Sequence, residues 1–243
     1  MAIDEALLEL HLRGKTAPTL RFYGWTPAAV SIGYSQKISP ETVKRIKEKG
    51  YSVVRRPTGG RAVLHEGELT YCFIASSEGD EPARGPVMLA PSVNRAYKQI
   101  CQALTAGLSR LGVETALGKS DSPYKSLEDC FDATTTADLH YQGKKIVGSA
   151  QLRRKHGVLQ HGSIMLDQKQ DAMAQILGLN RDSELVRHAN LYELAKVERL
   201  DVEEAIGSGF TDVFNCRFAV YDLSAEEWEV VDSLKSDKAR YSV

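Results

Sequence analysis

The chain has 243 residues, 42% of them hydrophobic and 26% charged, and a formal net charge of −1. This is an ordinary composition for a folded protein with a substantial core, and it excludes the bulk positive charge that draws nucleic acid or an anionic membrane. No apolar run reaches the roughly 20 residues of a spanning helix, and the opening Met-Ala-Ile-Asp-Glu-Ala lacks the basic and apolar regions of a secretory signal. The four cysteines, Cys72, Cys101, Cys130 and Cys216, form no CxxC pair. That spacing predicts free thiols in a reducing cytoplasm, with no disulfide framework and no metal site.

In chain order, Ile3 to Arg13 has helical spacing, with Ile3, Ala6, Leu7 and Leu10 on one face. Leu20 to Tyr23 and Ala29 to Gly33 read as strands separated by Thr26-Pro27. Ser39-Pro40-Glu41 is a helix start, and Gly50 its natural stop. Strands follow at Ser52 to Arg56, Ala62 to His65 and Leu69 to Ala75, then a mobile loop at Glu78 to Pro91. Ser92 caps a long helix to Leu111, predicted to turn Val93, Ala96, Tyr97, Ile100, Leu104, Leu108 and Leu111 to the core. Val113 to Leu117 is a strand, and 118 to 136 is an aperiodic loop of the kind that is often functional.

Ala137 to Tyr141 and Lys145 to Ser149 form a predicted hairpin around Gln142-Gly143, and Gly157 to Leu166 another strand. The remainder reads as a short helix at Ala172 to Leu177, a helix at Val202 to Phe214, an edge strand at Arg217 to Tyr221 and a closing helix at Ala225 to Lys238. Clustered hairpins with interspersed helices predict an α+β fold, with mixed sheets packed against helices, in a single domain spanning 1–243.

Three segments carry chemistry. In Arg55-Arg56-Pro57-Thr58-Gly59-Gly60-Arg61 to His65, a strand delivers arginines to a turn whose glycines let backbone approach a ligand. The bland alternative is a surface hairpin with solvated arginines. In Lys144 to Ala150, alternation puts Lys145 and Val147 on one face and Lys144 and Ile146 on the other, with room beside Gly148, Ser149 and Ala150. An ordinary exposed hairpin is the alternative here. Cys130 differs from the other cysteines, which read as packing residues, in lying in a polar loop. Its acidic neighbours Glu128, Asp129 and Asp132 raise a thiol pKa, so a reactive Cys130 needs a nearby cation.

Together, Arg55-Arg56-x-x-Gly59-Gly60 to His65 and, later, Lys145-x-x-Gly148-x-Ala150 resemble the biotin/lipoate protein ligase and lipoate-attachment superfamily. The likeness runs from the first residue to about Leu166, although the family usually places a strand before the first helix. It implies that the Gly-rich loop (Arg55, Arg56, Thr58, Gly59, Gly60, Arg61) and His65 bind the acyl group and its activated head, and that Lys145 points at the reacting carbonyl. Gly148, Ser149 and Ala150 would line the same site. His161 reads either as a satisfied core histidine or as a further lining residue.

ATP-using ligases of the family typically have a third glycine where this chain has Arg61, and an Asn-Asp pair where it has Cys130-Phe131-Asp132. With Cys130 fifteen residues before Lys145, the chain instead resembles the octanoyltransferase branch that uses a cysteine acyl-enzyme. That likeness implies octanoyl transfer from acyl carrier protein through Cys130 to a lysine of an apo lipoyl domain, such as glycine cleavage H protein or a dehydrogenase E2. It implies no cofactor, no nucleic-acid or membrane partner, and no accessory C-terminal ligase domain. Lys145 would lower the Cys130 pKa: an ion pair at ~4 Å with an effective dielectric of ~20 is worth about 4 kcal/mol. The alternatives are an ATP-dependent lipoate ligase, a sibling transferase acting between lipoyl domains, and a non-catalytic acyl-binding module. The basic run Arg153-Arg154-Lys155-His156 is a candidate docking patch for acidic partners.

Overall fold

The computed structural model describes residues 1–78, 85–118, 138–167, 173, 176, 188–237 and 240–243. The elements in order are α1 (Ala2–Leu12), β1 (Thr19–Tyr23), β2 (Ala29–Ile32), α2 (Pro40–Glu48), β3 (Ser52–Arg55), β4 (Val63–His65), β5 (Glu68–Ser77), β6 (Met88–Leu89), α3 (Val93–Arg110), β7 (Ala116–Leu117), β8 (Leu139–Tyr141), β9 (Lys144–Arg154), β10 (Gly157–Met165), α4 (Leu191–Leu194), α5 (Arg199–Phe214) and α6 (Ala225–Ser236). Among the described residues the strands form two sheets. One has the order β1-β5-β10-β9-β8-β7, with β6 beside β5; the other is β3-β2-β4. This mixed arrangement is the expected α+β architecture.

Local sequence explains most boundaries. Ser39 and Ser92 accept from the backbone N–H groups of Thr42 and Arg95, capping α2 and α3. Ser224 and Glu227 form a reciprocal capping box on α6. Gln142 and Gly143 both adopt positive φ, the two-residue turn that closes a twisted hairpin between β8 and β9.

The larger sheet is buried on both faces. Leu69, Tyr71, Phe73 and Ala75 of β5 pack toward α3 and α5, whereas Cys72 and Ile74 pack against Leu7 and Leu8 of α1. Helices α3 and α5 cross at glycines. A Cβ on Gly209 would lie 2.3 Å from the Ala103 carbonyl oxygen, and one on Gly107 would lie 2.7 Å from the Ile206 Cα. Gly209→Ala is therefore expected to destabilise the fold by about 1–3 kcal/mol through overpacking. A urea midpoint equal to that of the parent would contradict this.

Some expectations need correction. Residues 217–221 form no strand: Val220 is fully exposed, and the segment lies outside both sheet ladders despite its alternating pattern. Alternation supplies faces, but a strand also needs a hydrogen-bonding neighbour. Val93, at the start of α3, is largely exposed rather than core. The segment expected to be all loop after Glu78 contains β6, paired in parallel with the end of β5. The strand expected from Val113 is paired only at Ala116–Leu117. The helix expected at 172–177 lies outside the described residues except for Met173 and Ile176, which are buried beside the small sheet. Within the basic run, Arg153 donates to the carbonyls of Ala90 and Pro91 and Arg154 pairs with Glu5, while Lys155 is exposed.

Candidate active site

The Gly-rich loop leaves β3 and is held from inside. Arg56 is buried, and its guanidinium donates to the carbonyls of Gly59, Ser31 and Arg61 and to the Ser31 hydroxyl. A planar guanidinium is suited to this because its donors fan out in fixed directions. The loop rests on Gly33, where a Cβ would meet the Gly60 carbonyl oxygen at 2.0 Å. Gly60 itself has φ 95°, which favours glycine. Arg55 donates to the carbonyls of Gly33, Tyr34 and Gln36, so it braces the loop's outer side. Arg61 is buried.

His65, at the end of β4, is fixed on three sides. Glu68 accepts from Nδ1 at 2.6 Å, Ser31 Oγ lies 2.7 Å from Nε2, and the Trp25 ring stacks on the imidazole at 4.1 Å. Glu68 also accepts from the Thr70 hydroxyl, to which Trp25 Nε1 donates. Glu68, His65 and Ser31 follow the order of a hydrolase triad. However, Ser31 is wholly buried on β2 and its Oγ accepts from Arg56. The chain of contacts ties the small sheet to the large one and fixes the His65 ring.

Between the two sheets lies a cleft with about 40 Å³ of water-accessible space and a mainly apolar accessible wall. Ser31, Arg56, Val63 and His65 line it from the small sheet and loop; Gly148, Ser149, Ala150 and His161 line it from β9 and β10. Gly162 makes room there, since a Cβ would meet the Gly148 carbonyl oxygen at 2.4 Å and the Tyr71 ring at 2.7 Å. Thr58 Oγ1 lies 2.6 Å from His161 Nε2, linking the loop to the sheet, and the other ring nitrogen lies 3.9 Å from Asp4. Gly33, Ser31, Glu68, Gly162 and Asp4 are contributors that sequence reasoning missed. The available signal was polar and small residues at positions where strand alternation demands burial.

Lys145 is buried on β9, 3.0 Å from the Asp138 carboxylate. It lies three residues before Gly148, roughly 10 Å along the strand, and is not among the residues lining the cavity. Lys144 is exposed. Cys130 and its acidic neighbours lie outside the described residues. The pKa values of the Cys72, Cys101 and Cys216 thiols are all raised, chiefly by burial.

A model of the lipoyl protein ligase A/B catalytic domain matches residues 1–208. The chain belongs to that family. The octanoyltransferase LipM of Kyrpidia tusciae is 37% identical, over 96% of this chain and 89% of that protein. LipM of Geobacillus kaustophilus is 38% identical over 98% and 90%, and LipM of Bacillus subtilis 35% identical over the same shares. A crystal structure of lipoate-protein ligase A bound with ATP superposes with a TM-score of 0.77 at 24% identity, covering 98% of this chain and 88% of that one. The likeness is one of fold. Among the described residues, no helix is long and apolar enough to cross a membrane.

The buried charges of this ligase-family site share one pH dependence. Burial alone would raise the Asp4 and Glu68 carboxyls, but contacts with His161 and Arg21 hold Asp4 well below its ordinary 3.8, and His65 holds Glu68 below 4.5. Burial lowers His161 below 6.5, with Asp4 only partly opposing. In each case the folded pKa is depressed, so the unfolded chain binds protons first and stability falls with falling pH. Melting temperature is expected to drop below about pH 6.5 through His161, and more steeply below about pH 4.5 through the carboxylates. His161→Gln should reduce the upper step and leave the share of His140, which burial also lowers below 6.5; a melting temperature flat from pH 7 to 5 in the parent would refute this.

Proposed function

We propose that the chain is an octanoyltransferase of lipoate biosynthesis, taking octanoyl from a carrier-protein thioester and delivering it through a Cys130 thioester to a lysine of an apo lipoyl domain. The acyl donor is octanoyl-acyl carrier protein. The acceptor is glycine cleavage H protein or a dehydrogenase E2. The observation that carries this reading is the mainly apolar cavity beside Gly148–Ala150, in a chain related over nearly its full length to LipM octanoyltransferases. Burying six or seven methylenes there contributes roughly 5 kcal/mol at ~0.8 kcal/mol each. Val63 and Ala150 supply apolar wall, and the Arg56 donors and the Thr58–His161 contact hold the loop beside it.

The chemistry is a double displacement. The Cys130 thiolate attacks the thioester carbonyl, and the carrier thiolate leaves and takes a proton from the Lys145 ammonium. Neutral Lys145 then accepts a proton from the incoming lysine ammonium. The free amine attacks the acyl-cysteine, the resulting nitrogen loses its proton to solvent as the amide forms, and Cys130 leaves as the thiolate. The raised pKa values of the three described thiols support giving this role to Cys130. The steps need neither a nucleotide nor a metal.

The test is intact mass after mixing with octanoyl-acyl carrier protein in the absence of ATP. A hydroxylamine-labile octanoyl adduct on the protein is the expected result. No adduct, together with pyrophosphate released from ATP and lipoate, would make the chain a ligase. Neither outcome would leave an acyl-binding module.

A further inference from the structure

We propose that Arg240 and Tyr241 are specificity-determining residues: they latch the outer edge of the small sheet to α1, and so limit how wide the acyl cleft opens and how long a chain it admits. The inference rests on the octanoyltransferase reading, which makes the cleft an acyl site.

The cleft as it stands is too narrow for that occupant. Its water-accessible space of about 40 Å³ takes roughly three waters at ~10–15 Å³ each, whereas an octanoyl group brings a chain of eight carbons. The walls must therefore part. They belong to different sheets, and the small sheet is joined to the large one at one edge. There β4 runs into β5 through Glu66 and Gly67. Gly67 has φ 73°, and its carbonyl accepts from the Asp167 N–H at 2.8 Å, just past the end of β10. Two residues anchored in this way make a hinge, since a few residues between elements can absorb the backbone change of a swing.

The opposite edge of the small sheet is β3, which such a swing displaces most. There the Arg55 N–H donates to the Tyr241 carbonyl at 3.0 Å. The same tail residues grip α1. Arg240 donates to both Glu5 oxygens, at 3.1 and 2.7 Å, and the Tyr241 hydroxyl donates to Glu5 at 2.8 Å. Arg154 of β9 also donates to Glu5, at 2.6 Å, so the carboxylate that holds the tail is itself fastened to the large sheet. Leu7 and Leu8 pack α1 onto the same sheet, and Asp4 faces the cleft-lining His161. The Glu5 side chain is almost wholly buried. Burial alone would raise its pKa, yet the bonds from Arg240, Tyr241 and Arg154 hold it below its ordinary 4.5. A buried carboxylate that stays ionised needs its donors, so the latch resists opening. The Thr58–His161 bond also spans the cleft; the latch differs in being built around a buried charge.

The experiment measures kcat/KM for octanoyl- and dodecanoyl-acyl carrier protein, reading acylated lipoyl domain by mass. The parent should favour octanoyl. Arg240→Ala should lower the octanoyl-to-dodecanoyl ratio at least about fivefold, chiefly through a lower KM for dodecanoyl, and Tyr241→Phe at least about twofold. Ratios equal to the parent's overturn the inference, and if Arg240→Ala does not fold, Tyr241→Phe decides alone. Gly209→Ala separates a latch from general loosening. It should unfold at lower urea yet keep the parent ratio, and a shift as large as that of Arg240→Ala overturns the inference. Hydrogen exchange needs no acyl donor: the Arg55 amide should exchange at least about tenfold faster in Arg240→Ala than in the parent, and equal rates overturn the latch. A parent that transfers neither acyl group ends the octanoyltransferase reading, whereas a parent that transfers octanoyl, with unshifted variants, ends only the latch.

Discussion

Cys130→Ala is expected to lower octanoyl transfer from the carrier thioester by roughly 10³-fold or more and to abolish the octanoyl adduct. Removing a covalent nucleophile eliminates the acyl-enzyme route and leaves only binding and orientation, so losses of this size are usual. No described cysteine is placed to substitute. Cys72 packs with Leu7, Leu8 and Ile74 beneath α1, and its thiol is raised well above the ordinary range by burial and by Asp4. Cys101 is pushed up to about 12, which at pH 7 leaves roughly one thiolate in 10⁵. Cys216 is raised by burial. Cys101→Ala and Cys216→Ala should therefore keep adduct formation at the parent rate. An adduct of parental rate and stoichiometry on Cys130→Ala would place the nucleophile elsewhere and end the thioester-exchange reading. Lys145→Ala should retain the thiol but slow acylation, with single-turnover mass spectra separating that step from transfer to the lipoyl domain.

Much of the fold was legible because its signals are local. Ser39, Ser92 and Ser224 each cap the helix they precede, and Gln142-Gly143 makes the turn its residues prefer. Pattern misled at 217–221, where alternating apolar and polar residues have no ladder partner. β5 is buried throughout, so its hydrophobicity shows depth but not which face meets α1 and which meets α3. The site divides in the same way. Arg56 and Gly148–Ala150 stand in short runs, and the structure brings them around one cavity. Their supports are distant in sequence: Gly33 lies under Gly60, Asp4 faces His161 from α1, and Ser31 reaches His65 from β2. Spacing carries no information about such contacts, because they depend on how two sheets pack. The Asp138–Lys145 pair spans only seven residues, yet it depends on a ladder irregularity that residue type does not reveal.

Arg56→Ala is expected to cost about 3 kcal/mol or more of stability and to disable the loop. The guanidinium makes its contacts to three carbonyls and one hydroxyl from within the protein, with the shortest, to the Arg61 carbonyl, at 2.6 Å. Truncation leaves those acceptors without their donor in a place water enters poorly, at about 1–3 kcal/mol for each group left unsatisfied. Partial relaxation of the loop recovers some of that, which sets the estimate just below a simple sum over the four acceptors. The functional consequence follows from the same bonds. Gly59 is held by Arg56, and Thr58 beside it meets His161 across the cavity, so a loosened loop detaches one wall of the acyl site. Arg56→Lys should restore little, because a single ammonium cannot reach the carbonyls of Gly59, Ser31 and Arg61 at once. Urea unfolding reads the stability and octanoyl-transfer kinetics read the loop, with KM rising more than kcat falls if the damage is to binding. A loss below about 1 kcal/mol, or a lysine variant equal to the parent in both measurements, would mean that Arg56 is not what holds the glycine loop against the sheet.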